Sequence, residues 1–214
     1  MQDVYFISGL GADERAFQLL ELKNINSIHL PWQNPLPNET IEEYALRFSK
    51  NITSDNPIIV GLSFGGMMSI EIAKHISYKK IILISSAKTK KEIPTYFKLA
   101  KYFPFYKIIP FHWLGSSTYL MNYIFGNRTQ QQKEILKELI KNSNSPFNKW
   151  AIEKAIHWKN KFIPTNVFHI HGNSDNLLPH KYVKANFIIQ NGTHFMIANQ
   201  AKEISILLEK IISS

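Results

Sequence analysis

The sequence predicts an α/β protein whose core is a doubly wound, mostly parallel sheet of about six strands. Short apolar runs recur along the chain, segments with helical spacing lie between them, and a glycine-flanked serine stands where one run gives way to a helix. Strands that alternate with helices favour a parallel sheet covered on both faces. The 214 residues, 44% of them hydrophobic, are enough to bury the core of one domain.

The predicted strands are six short apolar runs. They span residues 4–9, 27–32, 57–62, 80–87, 165–172 and 184–191. Between or after them, apolar residues recur every three or four positions, which predicts helices over 14–22, 40–54, 64–77 and 198–212.

The alternation stops between the fourth and fifth strands. No strand pattern occurs from Lys88 to Phe162, and four stretches favour helices, near residues 91–103, 116–125, 129–143 and 147–159. We therefore predict a core formed by residues 1–87 and 162–214, with a helical insert over 88–161. Since the insert leaves the sheet at its carboxyl edge, we expect it to form a lid over that edge.

The predicted insert is strongly basic. It carries 14 Lys or Arg against four Glu, whereas the whole chain has a net charge of +9. Six lysines cluster near its start: Lys88, Lys90, Lys91, Lys98, Lys101 and Lys107. A positive rim would attract an acidic carrier protein, an anionic ester or an acidic membrane surface. The alternative is compositional drift, because the chain is rich in Lys, Asn and Ile throughout.

Composition also limits the compartment and the partners. The chain has no cysteine, which excludes disulfides and thiolate metal sites and fits a reducing compartment. Met1 is followed by Gln2 and Asp3 rather than by a basic leader, and no apolar run approaches the roughly 20 residues that cross a bilayer. We expect a cytoplasmic protein with no membrane span. No nucleic-acid-binding module is recognisable, so we expect no nucleic-acid partner.

The candidate nucleophile is Ser63, in the stretch Gly61-Leu62-Ser63-Phe64-Gly65. An apolar strand pattern precedes it and a helical pattern follows it, which predicts a sharp strand-to-helix turn. Glycines on both sides remove the Cβ atoms that would clash in so tight a turn. The serine hydroxyl would then stand clear of the sheet edge, beside the first N–H groups of the helix.

The turn after the first strand reads Ser8-Gly9-Leu10-Gly11-Ala12-Asp13. It does not fit a dinucleotide-binding fingerprint, because Glu14 stands where the third glycine is needed and no acidic residue follows the second strand until Glu39. We interpret it instead as a flexible turn that presents the Leu10 N–H to the site.

A serine nucleophile needs a base, and the base needs an orienting carboxylate. Asp175, after the fifth predicted strand, is the only acidic residue between Glu153 and Glu203. Among eight histidines, His194 stands two residues after Gly192 and precedes the last helix, and it is the predicted base. His169 and His171 could instead form a metal-binding pair, since alternate residues of a strand share a face, but no third ligand is evident.

The motifs GLSFGG, HGNSDNLLP and NGTHFM occur in this order over most of the chain, and together they resemble the α/β-hydrolase superfamily. The resemblance implies a triad of Ser63, Asp175 and His194, with an oxyanion hole from the backbone N–H groups of Leu10 and Phe64. It implies that no cofactor or metal is required. A serine at position 63 argues against the dehalogenases and epoxide hydrolases of the superfamily, which use an aspartate there.

We therefore predict a serine hydrolase that cleaves a carboxylic ester, or a related acyl bond, through an acyl-enzyme intermediate. One alternative is an esterase that removes a methyl ester from a substrate bound to a carrier protein, with the basic lid meeting an acidic carrier. Another is a receptor of the same fold that binds a ligand and turns it over slowly or not at all.

Overall fold

The six predicted strands form one sheet in the computed structural model, which describes residues 1–99, 126, 129–130, 132–134 and 146–214. The strands are β1 (Gln2–Ile7), β2 (Ile25–His29), β3 (Ile58–Leu62), β4 (Lys80–Ile84), β5 (Val167–Gly172) and β6 (Phe187–Ile189). Their order across the sheet is β2-β1-β3-β4-β5-β6, and all five pairings are parallel. The predicted α/β class is confirmed, with about six strands as expected.

The described helices follow the predicted order with shorter limits. They are α1 (Ile41–Ser49), α2 (Phe64–Ile72), α3 (Thr95–Leu99), α4 (Pro146–His157), α5 (Met196–Asn199) and α6 (Ala201–Ser213). A capping box begins α1, in which the Thr40 side chain accepts from the Glu43 N–H and Glu43 reaches back to the Thr40 N–H. The helix predicted over 116–125, and most of the one over 129–143, lie outside the described residues.

The helix predicted over residues 14–22 was wrong in type and length. The structure has a single 3₁₀ turn, Glu14–Phe17, which begins where the Asp13 side chain accepts from the Arg15 N–H. Ala16 and Phe17 are nonetheless buried against the sheet. The apolar spacing therefore reports burial, which one tight turn achieves here without a regular helix.

The core lies on both faces of the sheet, because successive side chains of each strand point to opposite faces. On β1, Val4 and Phe6 pack with α5 and α6, whereas Tyr5 and Ile7 pack with α1, α2 and α4. All four side chains are at most 2% exposed. The central strands β3 and β4 are buried along their whole length, which explains why they read as continuous apolar runs, whereas the edge strand β2 is largely exposed.

The two ends of the predicted insert are hydrogen-bonded to each other. The Asn160 side chain donates to the Lys88 carbonyl at 2.9 Å, and the Lys90 N–H donates to the Asn160 carbonyl at 2.9 Å. Segment 88–161 therefore leaves and rejoins the core at one place. Its division from the core as a lid stays a prediction, since most of its middle lies outside the described residues. Within the part of the chain that is described, we find no helix long and apolar enough to span a bilayer.

Candidate active site

Ser63 occupies the turn between β3 and α2, in a backbone conformation that non-glycine residues rarely adopt, with φ 51° and ψ −117°. Strain of this kind costs about 1–3 kcal/mol and persists only where the surroundings impose it. Here the Ser63 N–H donates to the Ile84 carbonyl at 2.9 Å, and the Ser63 carbonyl accepts from Ser86 Oγ at 2.6 Å. The end of β4 therefore holds both sides of the turn.

Two glycines make this turn possible. A Cβ on Gly61 would meet Ser69 Oγ and the Gly65 carbonyl, and a Cβ on Gly65 would meet the backbone carbonyls of Ile7 and Ser8. Because backbone atoms cannot move aside as the end of a side chain can, both positions require glycine. The predicted reason for the glycines, close packing at a strand-to-helix turn, matches these contacts.

The structure brings Ser63, His194 and Asp175 together. Ser63 Oγ lies 2.9 Å from His194 Nε2, and His194 Nδ1 lies 2.8 Å from Asp175 Oδ2. A carboxylate only accepts, so Nδ1 carries the proton and Nε2 is the acceptor that faces the serine hydroxyl. These are the roles that a general base and its orienting acid require.

Asp175 lies in a closed loop after β5 and is 2% exposed. Its Oδ1 accepts the N–H groups of Leu177 at 2.9 Å and Leu178 at 2.8 Å, which leaves Oδ2 for His194. Burial alone would raise the pKa of this carboxyl. The adjacent His194, together with the Leu178 N–H, outweighs burial and lowers the pKa below its ordinary value, so the group is ionised at neutral pH.

The predicted oxyanion donors, Leu10 and Phe64, border the serine from two directions. Phe64 is the first residue of α2, and Leu10 lies in the turn after β1. That turn approaches the serine closely, since a Cβ on Gly9 would lie 3.3 Å from Ser63 Cβ. Neither N–H has a hydrogen-bond acceptor among the residues that the structure describes. Both are therefore available to a ligand.

Distant side chains hold the turn after β1, which we call the oxyanion turn (residues 8–13). The Gly11 N–H donates to Asn148 Oδ1 of α4 at 3.0 Å, and Trp32 Nε1 donates to the Gly9 carbonyl at 3.3 Å. Ser8 Oγ closes the turn on itself by donating to the Ala12 carbonyl at 2.7 Å. Sequence reasoning missed Asn148 and Trp32, because no motif links residues so far apart in the chain.

A cavity of about 280 Å³ lies beside the oxyanion turn. Its lining includes Ser8, Gly11, Trp32, Phe147 and Asn148. The aromatic side chains of the insert lie only partly within the described residues. Trp150 Nε1 donates to the Glu39 carbonyl and Trp158 Nε1 to buried Glu71, both at 2.8 Å, so these two side chains pack onto the core.

The possible metal pair His169 and His171 gains no third ligand. Both side chains are fully buried on the same face of β5, with their rings edge to face at 5.3 Å. Among the described residues, no group of three or more His, Cys, Asp or Glu is placed to hold a metal ion. His171 Nε2 instead lies 2.7 Å from the Leu178 carbonyl, in the loop that carries Asp175.

The basic cluster is described only in part. Lys88 is not a free surface charge, because its ammonium group lies 3.8 Å from Glu92 and donates to the Lys184 carbonyl. The remaining described side chains, Lys90 and Lys91, are partly or fully exposed, while those of Lys98, Lys101 and Lys107 lie outside the described residues. The acidic-carrier partner stays a prediction.

Comparisons with known proteins find matches to this chain in structure but not in sequence. No protein-family model matches the chain, and no curated protein matches it in sequence. Solved structures do match. A lipase-esterase related protein from Clostridium acetobutylicum superposes with a TM-score of 0.71 at 18% identity, covering 98% of this chain and 94% of that one.

Two further structures match over similar lengths. Est816, described as an enzyme that degrades N-acyl homoserine lactones, gives a TM-score of 0.70 at 16% identity, covering 98% of this chain and 93% of its own. A bromoperoxidase from Bacillus anthracis gives 0.68 at 19% identity, covering 100% and 92%. The chain has the α/β-hydrolase fold, as the sequence resemblance predicted.

Proposed function

We propose that this protein is a serine hydrolase that cleaves a carboxylic ester, or a related acyl bond, through an acyl-enzyme on Ser63. The observation that carries the proposal is the pair of contacts that joins Ser63 Oγ to His194 Nε2 at 2.9 Å and His194 Nδ1 to Asp175 at 2.8 Å. A serine hydroxyl is a weak nucleophile without such a base. A structural serine needs neither the strained backbone nor this partner.

In the proposed mechanism, Ser63 Oγ attacks the substrate carbonyl carbon while His194 Nε2 takes its proton. The oxyanion that forms is stabilised by the N–H groups of Leu10 and Phe64. The imidazolium, held by Asp175, then returns the proton to the leaving alcohol as the carbon–oxygen bond breaks. Water, deprotonated by His194, attacks the acyl-enzyme in the same way and releases the acid.

The solved structures of the same fold support an acyl substrate. Their names include a lipase-esterase related protein, an enzyme that degrades N-acyl homoserine lactones and carboxylesterases. Each of those substrates presents a carbonyl carbon to a nucleophile. We therefore propose a carboxylic ester as the first substrate class to test, with lactones as the next.

The test is a panel of p-nitrophenyl esters of graded chain length, assayed with the wild-type protein, Ser63→Ala and Ser27→Ala. Ser27 is an exposed residue of the edge strand β2 and makes a matched serine control. We expect Ser63→Ala to lower kcat at least about 10³-fold and Ser27→Ala to have no effect. Full activity of Ser63→Ala, or no turnover of any ester by the wild type, would contradict the proposal.

The same assay distinguishes a hydrolase from a receptor of the same fold, because a receptor would bind the esters without releasing p-nitrophenol.

The carrier-protein alternative predicts, in addition, that the rate depends on salt concentration. If the basic segment attracts an acidic carrier, kcat/KM on a carrier-bound ester falls as ionic strength rises, while kcat/KM on a neutral ester does not.

A further inference from the structure

His171 belongs to none of the groups that the proposed mechanism uses, although it lies close to them. Its side chain is fully buried at the end of β5, four residues before Asp175. Its Nε2 lies 2.7 Å from the Leu178 carbonyl and 3.5 Å from Asp175 Oδ2. A carbonyl oxygen only accepts, so Nε2 carries the proton and donates it to Leu178.

This contact holds the loop after β5 that carries Asp175, which we call the acid loop (residues 173–178), from a second side. The Leu178 N–H donates to Asp175 Oδ1, and the Leu178 carbonyl accepts from His171. Both backbone groups of one residue are therefore fixed, one by the acid and the other by an interior strand. β5 pairs with β4 on one side and β6 on the other, so it is a rigid support.

We infer that His171 is a positioning residue that fixes the Asp175 loop, and thereby aims the Asp175 carboxylate at His194. The inference rests on the proposed function. His171 does so in its neutral form, because burial lowers its pKa and the charge of Asp175 offsets this only in part. The other titratable groups that act on it are His194, His180 and His169.

His169 supplies a matched control. It lies two residues earlier on the same strand face and is equally buried, yet it makes no hydrogen bond to the loop that carries Asp175. His169→Phe and His171→Phe therefore make the same change in size and polarity at neighbouring buried sites. Only His171→Phe removes a contact with the acid loop.

We expect His171→Phe to lower kcat by about 10- to 100-fold, as small misplacements of catalytic groups do, with KM nearly unchanged. His169→Phe should keep both kcat and KM. His171→Gln, whose longer amide can donate to the Leu178 carbonyl, should recover more activity than His171→Asn, whose shorter amide cannot.

Equal losses of kcat in the two phenylalanine variants would overturn the inference. If His171→Phe does not fold, the comparison of His171→Gln with His171→Asn decides, and equal activities would be the contrary result. A proton NMR measurement separates this question from the proposed function. The His194 Nδ1 proton shared with Asp175 should be strongly downfield in the wild type and His169→Phe, and lost in His171→Phe, whether or not any ester is cleaved.

Discussion

The two sides of Ser63 are held in place by different means. On the acid side, His171, Asp175 and their shared partner Leu178 lie within eight consecutive residues, and Asp175 is fixed by N–H groups two and three residues ahead. On the oxyanion side, the turn is held by Trp32 and Asn148, the latter 137 residues from its partner Gly11. Local contacts fix one half of the site and long-range contacts fix the other.

The oxyanion turn should be displaced more easily than the loop that carries Asp175, because it depends on more elements of the fold. The contacts of the Asp175 loop need only β5 and the residues that follow it. The oxyanion turn also needs α4 to be docked, because Asn148 lies in its first turn beside Phe147, whose ring stacks on Trp32 at 4.5 Å. Substitutions in residues 88–161 that shift α4 should therefore displace the oxyanion turn more than they displace Ser63, His194 or Asp175.

The largest expected effect is on the acid side. Asp175→Asn keeps the shape of the loop residue but presents an amide to His194, which favours the wrong imidazole tautomer. We expect kcat to fall by about 10⁴-fold, measured on the best ester of the panel. Asp55→Asn is the control and should be neutral, because Asp55 is exposed and precedes β3, whereas Ser63 follows the opposite end of that strand.

The next effect lies on the oxyanion side. Asn148→Leu removes the acceptor for the Gly11 N–H while keeping the branched shape of the side chain. Loss of an oxyanion donor itself costs about 10²–10³ in rate, so a variant that only loosens the turn should lose about 10- to 100-fold in kcat with little change in KM. Lys149→Ala, an exposed neighbour on α4, is the control. A change confined to KM would show that Asn148 contacts the substrate rather than the turn.

Trp32→Phe should have a smaller effect on the same turn. It deletes the donor to the Gly9 carbonyl but retains a ring that stacks on Phe147. A single neutral hydrogen bond contributes about 0.5–1.5 kcal/mol, so we expect at most about a tenfold loss in kcat. The double variant with Asn148→Leu should lose less than the product of the two single losses, because both side chains act on one turn.

The two buried histidines of β5 should make part of the protein's stability depend on pH. Burial lowers the pKa of both His169 and His171, so the unfolded chain binds protons there that the fold does not. Stability is therefore full above the ordinary histidine value of about 6.5 and falls as pH decreases below it, by up to about 1.4 kcal/mol per pH unit for each histidine. Urea unfolding between pH 7 and 5 measures this, and His169→Phe should show a shallower decline.

The same contrast explains what could be predicted from sequence. Ser63, Asp175 and His194 were predictable because each stands at a strand end in a short motif, and the fold brings strand ends together. The proposed backbone donors, Leu10 and Phe64, come from the family resemblance, and their role stays a prediction. His171 was weighed only as a packing residue or metal ligand, because its partner is a backbone carbonyl and leaves no trace in the sequence.

The limits of the elements were less predictable for a related reason. The helical spacing after Ser63 continues to residue 77, whereas α2 ends at Ile72. Tighter turns follow the helix, in which the Lys74 N–H donates to the Glu71 carbonyl. Periodicity reports which side chains are buried, and it does not distinguish a helix from a turn that buries the same side chains.

The central claim is that Ser63 becomes acylated, and mass spectrometry after treatment with a fluorophosphonate tests it most directly. We predict one adduct per chain, on the peptide that contains Ser63, formed much more slowly in Asp175→Asn and absent in Ser63→Ala. An adduct on any other residue, or equal labelling of Ser63→Ala, would contradict the account.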